Sequence, residues 1–216
     1  SPCKLVPNVR VCIEEGLEKP WCPDNSGDYK EGKMITLREA LANSINYVSA
    51  LLMKQYGPHA VVNMARRVGI TAPLEPTPSL CLGTADVSVY EMTSAFGTFF
   101  NQGMHVSPMM MTRIEDRNGN ILAEFSPERK EVMSAESAWL TVQLLKGVVL
   151  SGTAIRLRYK YKFTEPIAGK TGTTQNNSDG WFIGGTPDLI TGVWTGAEDR
   201  SVHFYSTALG QGANMA

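Results

Sequence analysis

The chain has 216 residues, 43% of them apolar and 19% charged, which is ordinary composition for a globular protein with one sizeable core. Its 20 basic and 21 acidic residues nearly balance, so it lacks the excess of positive charge that a nucleic-acid partner requires. No uncharged apolar run approaches the ~18 residues that a membrane span needs. We therefore expect any membrane anchor of the protein to lie outside this sequence.

The cysteine and histidine spacings predict no metal site. The four cysteines show no C-x-x-C pair and the three histidines are scattered along the chain. An even number of cysteines permits disulfides in an oxidising compartment, and Cys12 with Cys22 would close a short loop that contains proline and glycine. The sequence leaves open whether this disulfide forms. Cys81 is predicted to be a small buried apolar residue.

The first 35 residues and the helical region after them differ in composition. Residues 1–35 are rich in proline and glycine and predict a loop-rich lead-in with a short strand at Val9 to Ile13. Thr36 with Glu39 forms a capping box, which predicts a helix start. Apolar spacing after Thr36 fits one long helix or two helices broken at Ser44.

Residues 36–150 are predicted to be mainly helical. Further helices are expected at His59 to Val68, after the capping box of Ser88 and Glu91, and at Ser134 to Leu150. The second of these has an aromatic stripe that predicts a core face, formed by Met92, Ala95, Phe96, Phe99 and Phe100. The apolar face of the third is predicted to consist of Trp139, Val142, Leu145 and Val149.

Two groups of strands are predicted late in the chain. Met110 to Glu115 and Ile121 to Phe125 flank Asn118-Gly119, which is typical of a hairpin turn. Residues 163–196 predict three antiparallel strands. With helices first and a sheet late, the sequence indicates a single α+β unit over residues 1–216, with an antiparallel sheet packed against helices.

The segment Lys170-Thr171-Gly172-Thr173 has the composition of an anion-binding edge strand. Alternation along a strand places Thr171 and Thr173 on one face, where both hydroxyls could hold a carboxylate while Lys170 supplies positive charge. Gly169 and Gly172 would allow another backbone to approach closely. The pattern suits a bound peptide. In contrast, Gly210-Gln211-Gly212 lacks the strand-to-helix surroundings of a nucleotide site, so we predict no cofactor.

Upstream of Lys170, Ser44-Ile45-Asn46 supplies a second motif in the required order. Lys-Thr-Gly, a Ser-x-Asn element and a Ser-x-x-Lys element together are typical of serine β-lactamases and penicillin-binding proteins. Further similarity lies in the longer runs Thr36 to Leu52, Pro78 to Thr84, Phe96 to Pro108, Ser151-Gly-Thr-Ala, Gly169 to Thr174 and Asp179 to Trp194. With these runs, nearly the whole chain resembles the transpeptidase domain of class A penicillin-binding proteins.

This resemblance implies an antiparallel sheet between helices, attack of a serine on the penultimate D-alanine of a peptidoglycan stem peptide, and inhibition by β-lactams. It makes Ser44 a proton-relay hydroxyl, Asn46 a donor to the substrate amide and Lys170 an electrostatic support for Ser44. Thr171 and Thr173 would hold the terminal carboxylate, beside Gly172 and Thr174. The Thr173 backbone N–H would form half of an oxyanion hole.

The sequence departs from the family pattern at the nucleophile. The only Ser-x-x-Lys is Ser1-Pro2-Cys3-Lys4, and two nearby prolines, Pro2 and Pro7, are incompatible with the helix that this motif requires. We therefore expect the chain to be the distal part of a transpeptidase domain and to be unable to acylate by itself. The resemblance also implies an upstream glycosyltransferase domain, a membrane anchor and an extracytoplasmic location. The alternatives are a β-lactam-sensing or scaffolding module and a serine β-lactamase.

Overall fold

The predicted three-stranded sheet forms late in the chain and is antiparallel. In this computed structural model, which describes residues 1–174 and 176–205, the strands are β7 (Ala168–Thr173), β8 (Asp179–Gly185) and β9 (Ile190–Gly196). Their order is β7-β8-β9, with Lys170 opposite Ile183 on β8. Within the described residues, no strand pairs with the outer edge of β7, so the Lys-Thr-Gly segment lies on an open edge.

Gly169 brings the first half of β7 close to β8. A Cβ atom at Gly169 would lie 2.6 Å from the Ile183 carbonyl oxygen and 2.9 Å from the Phe182 ring. The close backbone approach predicted at Gly169 therefore involves the neighbouring strand β8.

The helix predicted after Thr36 is divided at Ser44, which decides between the two alternatives. The first part is α1 (Leu37–Ala42), and its N-cap Thr36 forms the predicted reciprocal capping box with Glu39. The second part is α2 (Asn46–Tyr56). The remaining helices are α3 (Pro58–Arg67), α4 (Val89–Phe100), α5 (Ala135–Ser151), α6 (Arg156–Tyr159) and a 3₁₀ turn at Pro78–Leu82.

Among the described residues, three apolar clusters pack the helices, and one of the three also includes the sheet. In the first, Ile35 packs with Tyr47 and Val48 of α2, and in the second, Ala95 of α4 packs with Val132. The third cluster contains Val148, Val149 and Ala154, with Phe182 of β8 packed against it. Helix α5 packs on β7, α1 packs on α5, and α4 packs on β9. The position of β7 is thus set by α5, which also supports α1.

Two-stranded pairings complete the fold. They join β1 (Leu5–Pro7) to β2 (Met34–Thr36), β3 (Met104–Val106) to β6 (Arg129–Glu131), and β4 (Arg113–Glu115) to β5 (Ile121–Glu124). The last pair is the hairpin predicted around Asn118-Gly119. The prediction of a short strand at Val9 to Ile13 is wrong. The lead-in strand is β1, because β2 offers it a partner. Among the residues that the structure describes, the pairing inside Val9 to Ile13 is limited to a single bridge from Ile13 to Trp21.

The cysteines divide into one bonded pair and two free thiols. Cys12 and Cys22 form the disulfide that the sequence left open, and it closes the lead-in loop. Cys3 is exposed and Cys81 is half-buried, so the prediction of a buried Cys81 holds only in part. Burial raises the pKa of the Cys81 thiol to about 11, which keeps it protonated.

Two predicted core faces are more exposed than expected. In α4, Ala95 is buried, but Phe96, Phe99 and Phe100 are half-buried. In α5, the Trp139 side chain is 60% exposed, so its assignment to the core is wrong. Trp139 lines an apolar cleft of about 200 Å³ together with Phe99, Phe100 and Ile167. The aromatic side chains thus cluster at the rim of the sheet rather than beneath it.

The sequence also led to predictions about a membrane-spanning helix, a metal site and the segment Gly210-Gln211-Gly212. Over residues 1–174 and 176–205, no helix combines the length and the apolar character needed to cross a membrane. In the same part of the chain, no cluster of histidine, cysteine or acidic residues has the arrangement of a metal site. The segment Gly210-Gln211-Gly212 lies outside the described residues.

Candidate active site

Ser44 lies in the tight turn between α1 and α2 and is exposed. Its φ angle is +54°, in the left-handed region that residues with a Cβ atom rarely occupy. Hydrogen bonds hold the turn, because Ser44 N donates to the Leu41 carbonyl (3.2 Å) and Ile45 N donates to the Ala40 carbonyl (2.9 Å). Strain of this kind persists where the surrounding structure enforces it, often at functional sites. The turn projects the Ser44 hydroxyl toward β7.

Lys170 brings its amine to that hydroxyl. Lys170 Nζ donates to Ser44 Oγ at 2.9 Å and to the Thr171 carbonyl oxygen at 2.8 Å. Burial lowers the pKa of Lys170 from 10.5 to about 8. Lys170 therefore changes its protonation closer to neutral pH than an exposed lysine does, so it can either donate or accept a proton next to Ser44.

Asn46 begins α2, two residues after Ser44, and its side chain binds the lead-in. Asn46 Nδ2 donates to the Asp24 carbonyl oxygen at 2.7 Å, and the neighbouring Tyr47 N donates to Asn25 Oδ1 at 3.1 Å. These contacts fasten the loop around Asp24 to the start of α2. Because an amide nitrogen carries two hydrogens, one donor of Asn46 can still serve a ligand. A substrate contact of Asn46 stays a prediction.

Thr171 and Thr173 lie on β7, and their neighbour Thr174 follows it. Thr171 Oγ1 is 2.6 Å from Thr153 Oγ1, and Thr173 is exposed. Thr174 N donates to the Asp179 carbonyl of β8, at 3.3 Å. Successive N–H groups of a strand point to opposite sides, so the Thr173 N–H points to the open edge of β7. This is the direction that an oxyanion donor requires.

Thr174 is engaged in the turn between β7 and β8. Its hydroxyl oxygen accepts from Asp179 N at 3.1 Å and lies 3.0 Å from Ser178 Oγ. These contacts order the turn, so the hydroxyl serves local structure. Gly172 lies opposite Trp181, and a Cβ atom at Gly172 would be 3.1 Å from the Trp181 Cβ. The assignment of Thr174 and Gly172 to substrate binding stays a prediction.

Thr153 is a site residue that sequence reasoning missed. It follows α5 and contacts Thr171, while its backbone N–H donates to the Ala42 carbonyl at 3.0 Å, two residues before Ser44. The run Ser151-Gly-Thr-Ala contributed to the family resemblance, but nothing in its amino-acid sequence indicated that Thr153 lies at the site. The packing of α5 on β7 brings Thr153 to Thr171, and the packing of α1 on α5 brings it to Ala42.

The segment Ser1 to Lys4 forms a turn and no helix. Lys4 N donates to the Ser1 carbonyl at 3.0 Å. The segment is bound to the start of α1, because Arg38 N donates to the Pro2 carbonyl and Leu37 N donates to the Lys4 carbonyl, both at 3.0 Å. A serine and a lysine three residues apart share one face only in a helix. Ser1 and Lys4 therefore lack the arrangement of a nucleophile and its base.

Comparisons with known proteins show which family this chain resembles. Residues 15–197 match the family model described as the penicillin binding protein transpeptidase domain. The chain is 40% identical over 176 residues to penicillin-binding protein 1A of Aquifex aeolicus, covering 82% of this chain and 24% of that protein. It is 36% identical over 186 residues to penicillin-binding protein 2D of Bacillus subtilis, covering 84% of this chain and 27% of that protein. The chain thus spans about a quarter of the length of these curated relatives.

Solved structures show the same fold. Penicillin-binding protein 1A from Haemophilus influenzae superposes with a TM-score of 0.83 at 21% identity, over 94% of this chain and 36% of that one. The penicillin-binding protein PonA1 from Mycobacterium tuberculosis superposes with a TM-score of 0.80 at 21% identity, over 99% of this chain and 59% of that one. At this identity the likeness concerns the fold, and it agrees with the predicted antiparallel sheet packed against helices.

Proposed function

The chain belongs to the penicillin-binding protein transpeptidase family, and from this premise we propose that it forms the substrate-binding half of a peptidoglycan D,D-transpeptidase site. The site would bind the D-Ala-D-Ala end of a stem peptide and, in its place, β-lactams. We assign the site to the groove between the Ser44 turn and the open edge of β7. In the domain arrangement we propose, residues 1–35 form the lead-in, residues 36–150 are mainly helical, and 163–196 hold the sheet.

The contact of Lys170 Nζ with Ser44 Oγ, 2.9 Å long, carries this proposal. Acyl transfer from a peptide breaks a C–N bond, and the departing amine needs a proton. We propose that the Ser44 hydroxyl gives its proton to that nitrogen and takes one back from Lys170. The pKa of about 8 for Lys170 suits such a relay, because the amine can then change its protonation near neutral pH.

The outer edge of β7 supports the binding of a carboxylate and an oxyanion. A substrate lying along this edge would meet the hydroxyls of Thr171 and Thr173, and the positive charge of Lys170 lies next to them. The Thr173 N–H points to the same edge and would donate to the tetrahedral oxyanion. Removing such a donor typically costs about 3 kcal/mol of transition-state stabilisation. We place Asn46 at the far side of the groove as a donor to the substrate amide.

The reaction also requires a serine nucleophile, and we assign none to the described residues. Ser1 and Lys4 lie in a turn that is bound to α1. We assign Ser44 to the proton relay with Lys170 and not to nucleophilic attack. We therefore propose that this chain by itself is not acylated. In the intact protein, the nucleophile would come from a Ser-x-x-Lys element on a helix next to Lys170 and Ser44.

The location and partners that we propose follow from the family and from the disulfide. Cys12–Cys22 would be stable in an oxidising compartment, which agrees with the extracytoplasmic face of the bacterial inner membrane. Peptidoglycan stem peptides and β-lactams would be the ligands. We propose that the intact protein is anchored in the membrane and also carries a glycosyltransferase domain.

A labelled penicillin tests the proposal on the full-length protein that contains this sequence. We expect one covalent adduct per protein that persists for many minutes, because a transpeptidase lacks the deacylating base of a β-lactamase. Thr171→Val should slow acylation by a penicillin at least about 10-fold, since it removes a hydrogen bond to a charged carboxylate. The methyl ester of the same penicillin should be affected much less.

The matched control is Thr164→Val, at an exposed threonine of the segment before β7. It should leave acylation by both ligands unchanged. Absence of any adduct on the wild-type full-length protein would contradict the transpeptidase assignment. Rapid release of the hydrolysed penicillin would favour a β-lactamase instead.

A further inference from the structure

Thr153 connects the two halves of the proposed site. Its backbone N–H donates to the Ala42 carbonyl at 3.0 Å, at the end of α1, and its hydroxyl oxygen lies 2.6 Å from Thr171 Oγ1 on β7. Ala42 precedes Ser44 by two residues, and Thr171 follows Lys170 directly. Thr153, which belongs to neither motif, thus contacts both the end of α1 before Ser44-Ile45-Asn46 and the strand that carries Lys170-Thr171-Gly172.

The backbone around Thr153 is fixed on both sides. Gly152 and Ala154 are buried, and Ala154 N donates to the Val148 carbonyl at 3.1 Å. A Cβ atom at Gly152 would overlap the Ala42 carbonyl oxygen, so only glycine permits this close approach to α1. The Thr153 side chain itself is on the exposed side. Its hydroxyl is therefore presented to Thr171 by a rigid backbone, and the core does not depend on it.

We propose that Thr153 is a positioning residue that orients the Thr171 hydroxyl for the substrate carboxylate. The inference rests on the proposed function, in which Thr171 binds that carboxylate. A threonine hydroxyl has one hydrogen to donate and can accept. When Thr153 donates to Thr171 Oγ1, the single proton of Thr171 is directed to the ligand. The resulting chain of hydrogen bonds runs from Thr153 through Thr171 to the carboxylate, and each bond polarises the next.

This arrangement predicts a selective effect. Without the Thr153 hydroxyl, Thr171 keeps its proton but loses the partner that fixes its rotamer. Recognition of a carboxylate should then weaken, while reaction with a ligand that lacks the carboxylate should be unaffected. A merely structural contact between α5 and β7 would not distinguish between the two ligands.

The test uses the full-length protein and second-order acylation rates for a penicillin and for its methyl ester. Thr153→Val should slow acylation by the acid about 3- to 10-fold, the size expected for one neutral hydrogen bond. It should leave the rate for the ester, the melting temperature and the reaction stoichiometry unchanged. Thr153→Ser keeps the hydroxyl and should restore most of the rate with the acid.

A double variant shows whether Thr153 acts through Thr171. In a Thr171→Val protein, adding Thr153→Val should change the rate with the acid less than about 2-fold, because the group being oriented is already gone. Equal losses for acid and ester, additive losses in the double variant, or no loss in Thr153→Val would each overturn the inference while leaving the transpeptidase assignment intact. A wild-type protein that forms no adduct would overturn both.

Discussion

Lys170 Nζ donates to Ser44 Oγ at 2.9 Å, although the two residues are 126 positions apart in the sequence. The contact depends on three separate features. The left-handed turn at Ser44 ends α1, the edge strand β7 presents Lys170, and α5 packs against both α1 and β7. The Ser44-Ile45-Asn46 and Lys170-Thr171-Gly172 motifs therefore lie next to each other only because α5 sets the distance between them.

The first prediction concerns the amine of this pair. In the full-length protein, Lys170→Met should slow acylation by a penicillin at least about 100-fold, because it removes the charge and proton source beside Ser44. Methionine has a similar length and leaves no large cavity, so the fold should persist. The measurement is the second-order rate of adduct formation, with circular dichroism to verify folding.

Lys19→Met is the matched control for this change. Lys19 is exposed in the lead-in, and the same substitution there removes one charge without touching the site. It should react within about 2-fold of the wild-type rate. A Lys170→Met protein that also reacted within about 3-fold of wild type would refute the relay.

The second prediction concerns the pH dependence of stability. Burial lowers the pKa of Lys170 from 10.5 in the unfolded chain to about 8 in the folded protein. Between these values the unfolded state binds more protons, so the free energy of unfolding should rise with pH from 8 to 10.5. Below pH 8 the full cost of burying the amine is present, and above pH 10.5 it is gone. The total change is at most about 3 kcal/mol, and solvent around the partly exposed side chain should reduce it.

Lys170→Met isolates this contribution, because methionine does not titrate. Urea unfolding of the wild-type and Lys170→Met proteins should be measured at intervals from pH 7 to 10.5. At pH 7 the variant should have the higher free energy of unfolding. The advantage should shrink as the pH rises. A difference in unfolding free energy that stayed constant with pH would mean that the amine titrates normally in the folded state.

Features that depend on local chemistry could be predicted from the sequence. The capping boxes at Thr36 and Ser88 form as expected, because each involves only residues three positions apart. The hairpin at Asn118-Gly119 and the three strands of the sheet also follow from local patterns. The break at Ser44 stayed ambiguous, since helical spacing continued across it and only the turn geometry separates α1 from α2.

Features that depend on packing could not be predicted. The pattern in α5 placed Trp139 on the apolar face, but this residue lines an open cleft with Phe99 and Phe100 and remains 60% exposed. Thr153 reaches Thr171 through the packing of α5 against β7, and no motif encodes that distance. The sequence thus predicts which groups carry chemistry more readily than which groups hold them in position.

The third prediction concerns the 216-residue chain by itself: after incubation with excess penicillin it should gain no covalent adduct. Acylation needs a serine oxygen beside an amine base, held where an oxyanion donor can reach the carbonyl. Ser1 and Lys4 lie in a turn bound to the start of α1, and we propose Ser44, which accepts a hydrogen bond from Lys170, as a relay and not as the nucleophile. These groups can orient a carbonyl, but orientation without a nucleophile gives only reversible binding.

Intact-mass spectrometry of the chain decides this prediction, with the full-length protein as the positive control. The mass of the chain should remain unchanged under conditions that fully label the control. If one adduct per chain appears, proteolysis and peptide mapping identify the modified residue. An adduct at Ser44 would show that this hydroxyl is itself a nucleophile activated by Lys170, and would overturn its assignment as a relay. An adduct at Ser1 would mean that the turn rearranges in solution to bring Lys4 beside it.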